Sequence, residues 1–273
     1  MGKSRGFKAR ADGRNSPIPA KSGSEHLSCS ASQGILSGMQ VPFDFDPRLA
    51  LLPRIQQQLI ARFGRIVRPA DKRRDPVWTL VQGVIGARTK TAVSNASTDR
   101  LLADYGSWEA VAKAQVGELT DGLTKQTFPE LSADRLKDCL SEIIRRRGRV
   151  NLAHLADKDT AAAMAWLESL PGVARKISAS VVNSSTLNRK ALVIDTHHRR
   201  VVQRIGLVPS KADTARAYDI LIPLLPSDWT ASDIDEHHLL VKRLGQTHCR
   251  PSRPVCGPCP ICGDCQTGQR PKH

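Results

Sequence analysis

The sequence predicts an all-α protein, and three observations carry that expectation. Apolar residues recur at helical intervals along most of the chain, Pro and Gly punctuate those runs, and strand-like alternation is scarce. No internal repeat at ~20–50 residues is present, so a solenoid is not expected.

Residues 1–38 are rich in Gly, Ser, Lys and Arg without periodicity, which predicts a basic, disordered tail over about 1–40. Helical spacing then joins Leu51, Ile55, Leu59 and Ile60, and again Trp78, Val81, Val84 and Ile85. A further helix carries Leu136, Leu140, Ile143 and Ile144 and ends in Arg145-Arg146-Arg147-Gly148, a favourable end for dipole and cap. Another runs to Trp166, Leu167 and Leu170, where Pro171-Gly172 stops it. Helices resume near Ala174, Asp195-Thr196, Ala212 and Ser232. Trp78, Trp108 and Trp166 read as core residues.

Charge narrows the function. Lys and Arg number 41 against 26 Asp and Glu, a formal net charge of +15 in 273 residues. Such an excess suits a polyanionic partner, because each neutralised phosphate releases counterions; solvated basic faces are the plainer alternative. Aromatic residues make up only 4 %, too few for a broad base-stacking surface. No apolar run approaches the ~20 residues of a membrane span, so no membrane partner is expected. The basic N-terminus lacks a secretory apolar region. Five of the seven cysteines fall between Cys249 and Cys265, which favours metal ligation in a reducing, cytoplasmic compartment over dispersed disulfides.

That cluster reads Cys249-x6-Cys256-x2-Cys259-x5-Cys265. Four soft thiolates on one loop suit a 4Fe–4S cluster or a tetrahedral zinc site. Zinc, the alternative, prefers two well-separated Cys-x2-Cys pairs, which this spacing does not offer. Cys262 also makes Cys256, Cys259, Cys262 and Cys265 a continuous series near the ferredoxin pattern, so spacing leaves two ligand sets open. Arg250 and Arg253 lie between the first two cysteines, where a pinned loop would present them to phosphates.

The second constellation is Leu170-Pro171-Gly172-Val173-Ala174-Arg175-Lys176, between two helical segments. Backbone N–H groups at the start of the second helix would form a phosphate site without base specificity, although Pro-Gly is also a common helix connector. Val193-Ile194-Asp195-Thr196-His197 follows. Asp195 is either the cap of the next helix or, in a functional reading, a carboxylate facing Lys176 across a cleft.

Together these residues resemble the helix–hairpin–helix DNA glycosylase superfamily, its endonuclease III branch most closely. The likeness rests on Leu170–Lys176, on Ile194-Asp195-Thr196-His197 with Arg200-Val201, and on the four-cysteine spacing, in that order, and covers roughly residues 45–268. It implies a two-lobed all-α fold: a six-helix barrel over about 71–189, and an iron–sulfur lobe joining about 41–70 to 190–273. It implies that Cys249, Cys256, Cys259 and Cys265 hold a 4Fe–4S cluster. It also implies that Lys176 is a nucleophilic amine and Asp195 its carboxylate partner. Gly172, Val173, Ala174 and Arg175 would grip the DNA backbone, with Arg88, Arg250 and Arg253 as further contacts. The expected partner is double-stranded DNA with a damaged base or abasic site, and the expected state a monomer. In a bacterium the protein would associate with the nucleoid.

The chain departs from the family in places. Ala174 replaces the hairpin's second glycine, the loop before Asp195 lacks the family's glycine and proline, and Arg88 stands where endonuclease III has a gap-filling glutamine. Around Thr127-Phe128-Pro129-Glu130 and Gly245-x3-Cys249 the chain is similar to plant 5-methylcytosine glycosylases. Oxidised pyrimidines are the first expectation for substrate. Uracil, mismatched thymine or modified cytosine, removal without nicking, and a noncatalytic DNA-binding module are the alternatives.

Overall fold

A computed structural model describes residues 46–270, and among them there is no strand, only an isolated bridge between Arg74 and Ser185. The tail expected over 1–40 lies outside the described residues. Eleven α-helices follow one another among the described residues. In order they are α1 (Leu51–Phe63), α2 (Pro76–Ile85), α3 (Thr91–Tyr105), α4 (Trp108–Lys113), α5 (Val116–Gly122) and α6 (Pro129–Arg147). Then come α7 (Thr160–Glu168), α8 (Arg175–Ser184), α9 (Thr196–Ile205), α10 (Thr214–Leu221) and α11 (Ala231–Thr247).

Local chemistry fixes the boundaries. Asp75 caps α2 by accepting from the amides of Val77 and Trp78, with Pro76 preset for the first turn. Gly148 stops α6 in the left-handed conformation at φ +74°, behind three arginines that suit the dipole's negative end.

Two apolar cores divide these helices. The first gathers Leu80, Val81, Ile85, Leu136, Leu140, Leu167 and Val181, with α2 almost wholly buried at its centre. Gly83 lets α8 close in: a Cβ there would sit 2.9 Å from Ile177. The second core joins Leu52, Ile55 and Leu59 of α1 to Val201, Val202, Leu240 and Leu244 of α9 and α11. Burying each such side chain is worth roughly 1.5–3 kcal/mol against exposure.

Between the cores runs the extended segment 191–194. Ala191 and Val193 point into the first core, Leu192 and Ile194 into the second. Its alternation delivers Asp195 to the seam. The crossing from α1 to α2 is pinned by two buried acids of α11. Asp235 meets Arg68 at 3.0 Å and the Ser184 hydroxyl at 3.1 Å, while Glu236 meets Arg65 at 2.8 Å. Each is paired, as burial of a carboxylate demands.

Candidate active site

The hairpin before α8 is a tight turn closed by the Val173 amide donating to the Leu170 carbonyl at 3.2 Å. Pro171 presets its first central position, and Gly172 adopts φ +74° at the second, a region that costs an L-residue ~1–2 kcal/mol. Ala174 is extended at φ −110°, ψ 173°, which any residue adopts, so the missing second glycine strains nothing. Val173 is buried and anchors the turn in the first core, while Pro171, Gly172 and Ala174 are exposed. The guanidinium of Arg175 is occupied by Glu168 at 2.6 Å and Asp219 at 2.9 Å and lies over the Tyr218 ring. What α8 turns toward solvent at this end is therefore its amides and its dipole, not the arginine side chain.

Lys176 is the second residue of α8, and its ammonium form is disfavoured. Burial lowers its pKa first and the Lys242 cation lowers it further, against the opposing pull of Asp195. Asp195 caps α9: its Oδ1 accepts from the amides of His197 and His198, each at 2.9 Å. Its Oδ2 faces Lys242 Nζ at 3.7 Å. Burial alone would raise this carboxyl, but His238, the His198 amide and Lys242 outweigh it and hold it below the usual range. His238 itself is pushed down to about 4 by burial, so near neutrality the amides and Lys242 carry that stabilisation. Lys176 thus lies close enough to Asp195 to feel its charge, at the seam between the two cores.

Two features of this site lay outside the sequence reading. Lys242 of α11 donates to Thr91 Oγ1 at 3.3 Å as well as pairing with Asp195. Behind Asp195, His198, His237 and His238 are all buried, the first two rings 5.6 Å apart and His198 stacked on His238 at 5.7 Å. Both ring nitrogens of His198, Nε2 of His237 and Nδ1 of His238 find no partner among the described residues. Burial pushes His198 down to about 3 and His237 well below its usual range.

Arg88 is exposed on the turn after α2, in the left-handed region at φ +55°. The Thr127 hydroxyl donates to its carbonyl at 3.1 Å, and its guanidinium lies 5.9 Å from the exposed Phe128 ring. Cation and aromatic therefore stand together on a stapled turn.

Cys249, Cys256, Cys259 and Cys265 line one cavity, together with Cys262 and the apolar Val201, Ile205, Leu244 and Ile261. No group of three or more His, Cys, Asp or Glu among the described residues is arranged to hold a single metal ion. Burial pushes the Cys259 thiol up to about 11 and raises Cys265. Arg204 donates to Cys249 Sγ at 3.3 Å and to the carbonyls of Arg250 and Pro251, and Arg200 donates to the Cys249 carbonyl at 2.8 Å. Arg250 and Arg253 are exposed on the loop so held.

Comparison with known proteins places the chain. It is 27 % identical over 176 residues to the rice (Oryza sativa) Protein ROS1A, covering 60 % of this chain but 9 % of that protein, so it spans about a tenth of that plant relative. It is 24 % identical over 221 residues to endonuclease III of Thermotoga maritima, covering 81 % of this chain and 94 % of that one. Among solved structures, a trapped endonuclease III–DNA covalent intermediate shares the fold at a TM-score of 0.66 and 21 % identity, covering 81 % of this chain and 97 % of that one. The sequence profile of the HhH-GPD superfamily base excision DNA repair proteins matches residues 81–223, which include the hairpin, Lys176 and Asp195, and with that match over more than half its length the chain belongs to this superfamily.

Proposed function

We propose that the protein is a DNA glycosylase with abasic-site lyase activity, and that it flips and excises a damaged or modified base, an oxidised pyrimidine first. The observation that carries this reading is the half-buried amine of Lys176, its cationic form disfavoured, beside the capped carboxylate of Asp195.

The chemistry follows from those two groups. An extruded nucleotide, costing a few kcal/mol to unstack, brings its C1′ to Lys176. The amine attacks C1′ as the glycosidic bond breaks, and the base leaves with the bonding electrons. Asp195, held anionic, stabilises the positive charge developing on the sugar and takes the proton that the nitrogen sheds. Sugar ring opening gives a Schiff base; loss of the 2′ proton then expels the 3′ phosphate. Gly172, Val173, Ala174 and the amides opening α8 would hold the backbone, with Arg175 bracing the turn through Glu168 and Asp219. Arg88, beside Phe128, would fill the space the flipped base vacates.

Five thiols, those of Cys249, Cys256, Cys259, Cys262 and Cys265, line one largely apolar chamber, a soft donor set that suits an iron–sulfur cluster. Cys249, Cys256, Cys259 and Cys265 would hold a 4Fe–4S cluster whose contribution is to fix the loop that presents Arg250 and Arg253 to phosphate. A second reading of substrate, modified cytosine, is favoured by the likeness around Thr127-Phe128-Pro129-Glu130 and Gly245-x3-Cys249 to plant 5-methylcytosine glycosylases.

The test is incubation with duplexes carrying oxidised pyrimidines, uracil, mismatched thymine, modified cytosine or an abasic site, with and without borohydride. A covalent adduct that disappears in Lys176→Ala is expected. Asp195→Asn should lower turnover by ~100-fold or more while leaving abasic-site affinity nearly intact. Excision without any adduct would reduce the assignment to a glycosylase alone. No product on any duplex would leave only a DNA-binding module.

A further inference from the structure

We propose that Lys242 is a positioning residue for this reaction: it fixes Asp195 through the carboxylate oxygen that the helix cap leaves free, and its ammonium group acts electrostatically on Lys176. The inference rests on the lyase reading above and adds to it a residue on α11 that no motif announces.

The geometry is specific. Lys242 Nζ lies 3.7 Å from Asp195 Oδ2 and donates to Thr91 Oγ1 at 3.3 Å, so one amine ties α11 to the start of α9 and to the start of α3. Its stem is sheltered, with a quarter of the side chain exposed. The groups facing Lys176 and Asp195 come from three helices: His198 from α9, and His238 and Lys242 from α11, with α3 contributing the Thr91 hydroxyl. Both imidazoles are neutral near physiological pH, His198 being pushed down to about 3 and His238 to about 4. That leaves Lys242 as the cation acting on the pair.

Its charge has two effects with one sign. It repels a second cation at Lys176, favouring the free amine, and it neutralises Asp195, whose bare anion would otherwise draw a proton onto that amine. Removing it therefore raises the pH at which Lys176 becomes nucleophilic. Lys242 need not touch DNA for this.

The test is single-turnover borohydride trapping on an abasic-site duplex from about pH 5.5 to 9.5, comparing wild type, Lys242→Met, Lys242→Arg and Thr91→Val. Lys242→Met should move the acid limb upward by roughly one unit, a loss of about tenfold in trapping rate on that limb, with the alkaline plateau kept. Lys242→Arg should restore the wild-type limb. Thr91→Val, which frees the amine from its second anchor, should shift the limb in the same direction by less. Duplex affinity and a cooperative melt identify a variant that has simply unfolded; should Lys242→Met do so, Thr91→Val and Lys242→Arg decide. A wild-type adduct with an unmoved limb in Lys242→Met and Thr91→Val removes the role of Lys242 and leaves the lyase standing. An adduct that persists in Lys176→Ala and vanishes on adding Lys242→Met makes Lys242 the nucleophile and overturns the proposal. Absence of any wild-type adduct sinks both.

Discussion

Asp195 divides its two oxygens between a helix cap and the seam. Oδ1 satisfies the first amides of α9, a cap worth ~1 kcal/mol, and Oδ2 is left to the site. The cap and the proposed catalytic role, competing explanations in the sequence, are compatible because a carboxylate has two oxygens. Gly172 was legible because its turn needs a positive φ, and Ala174 proved to need none. Lys242 was not legible: no local pattern links a lysine in α11 to a cap in α9, and only packing brings them together. Arg204 was missed for the same reason, its partners lying on the cysteine loop. At this scale belongs a prediction for Arg88. Because a gap-filling side chain helps only where a stacked base must leave, Arg88→Ala should slow excision of a paired lesion by ~10–100-fold. Abasic-site trapping, which requires no base removal, should change far less in the same protein. Equal losses in both assays would make Arg88 a plain phosphate contact.

The helices that sequence reading found are those with an aliphatic face. α1, α2 and α6 bury Leu, Ile and Val at helical spacing, so periodicity exposes them. α3 turns Ser94, Ser97, Thr98 and Leu101 inward, a face too polar to stand out, and α4 and α5 are too short to develop a period. The gathering of the cysteines on one loop was legible from their spacing, but how that loop is held was not. Arg200 and Arg204, a helical turn apart on α9, grip its carbonyls and one sulfur, so the helix that starts at Asp195 also braces the cysteine loop. Replacing Cys249, Cys256, Cys259 or Cys265 by Ser should abolish broad visible absorbance in the purified protein and weaken duplex binding. Cys262→Ser should retain the colour. A colourless wild type carrying one zinc would refute the cluster reading.

For the molecule as a whole, the three buried histidines set an acid limit. Folded, His198 and His238 sit at about 3 and about 4, whereas an unfolded histidine titrates near ~6.5. Below that pH the unfolded chain binds protons that the native one refuses, so stability is full above ~6.5 and falls as pH drops toward 4. The loss should reach on the order of 3 kcal/mol per histidine by pH 4, seen as a falling melting temperature between pH 6.5 and 4. His238→Gln should flatten that slope; an unchanged slope would show that the imidazoles gain solvent or partners in solution. The seam segment 191–194 has its own consequence. With alternate side chains rooted on either side, the backbone there works as a dowel driven through two blocks of wood. Sliding one block along the other would have to draw aliphatic pegs from both, and the acid at the dowel's tip would move out of line with the amine. On the proposed mechanism, a loosened joint should therefore silence the chemistry before either block melts.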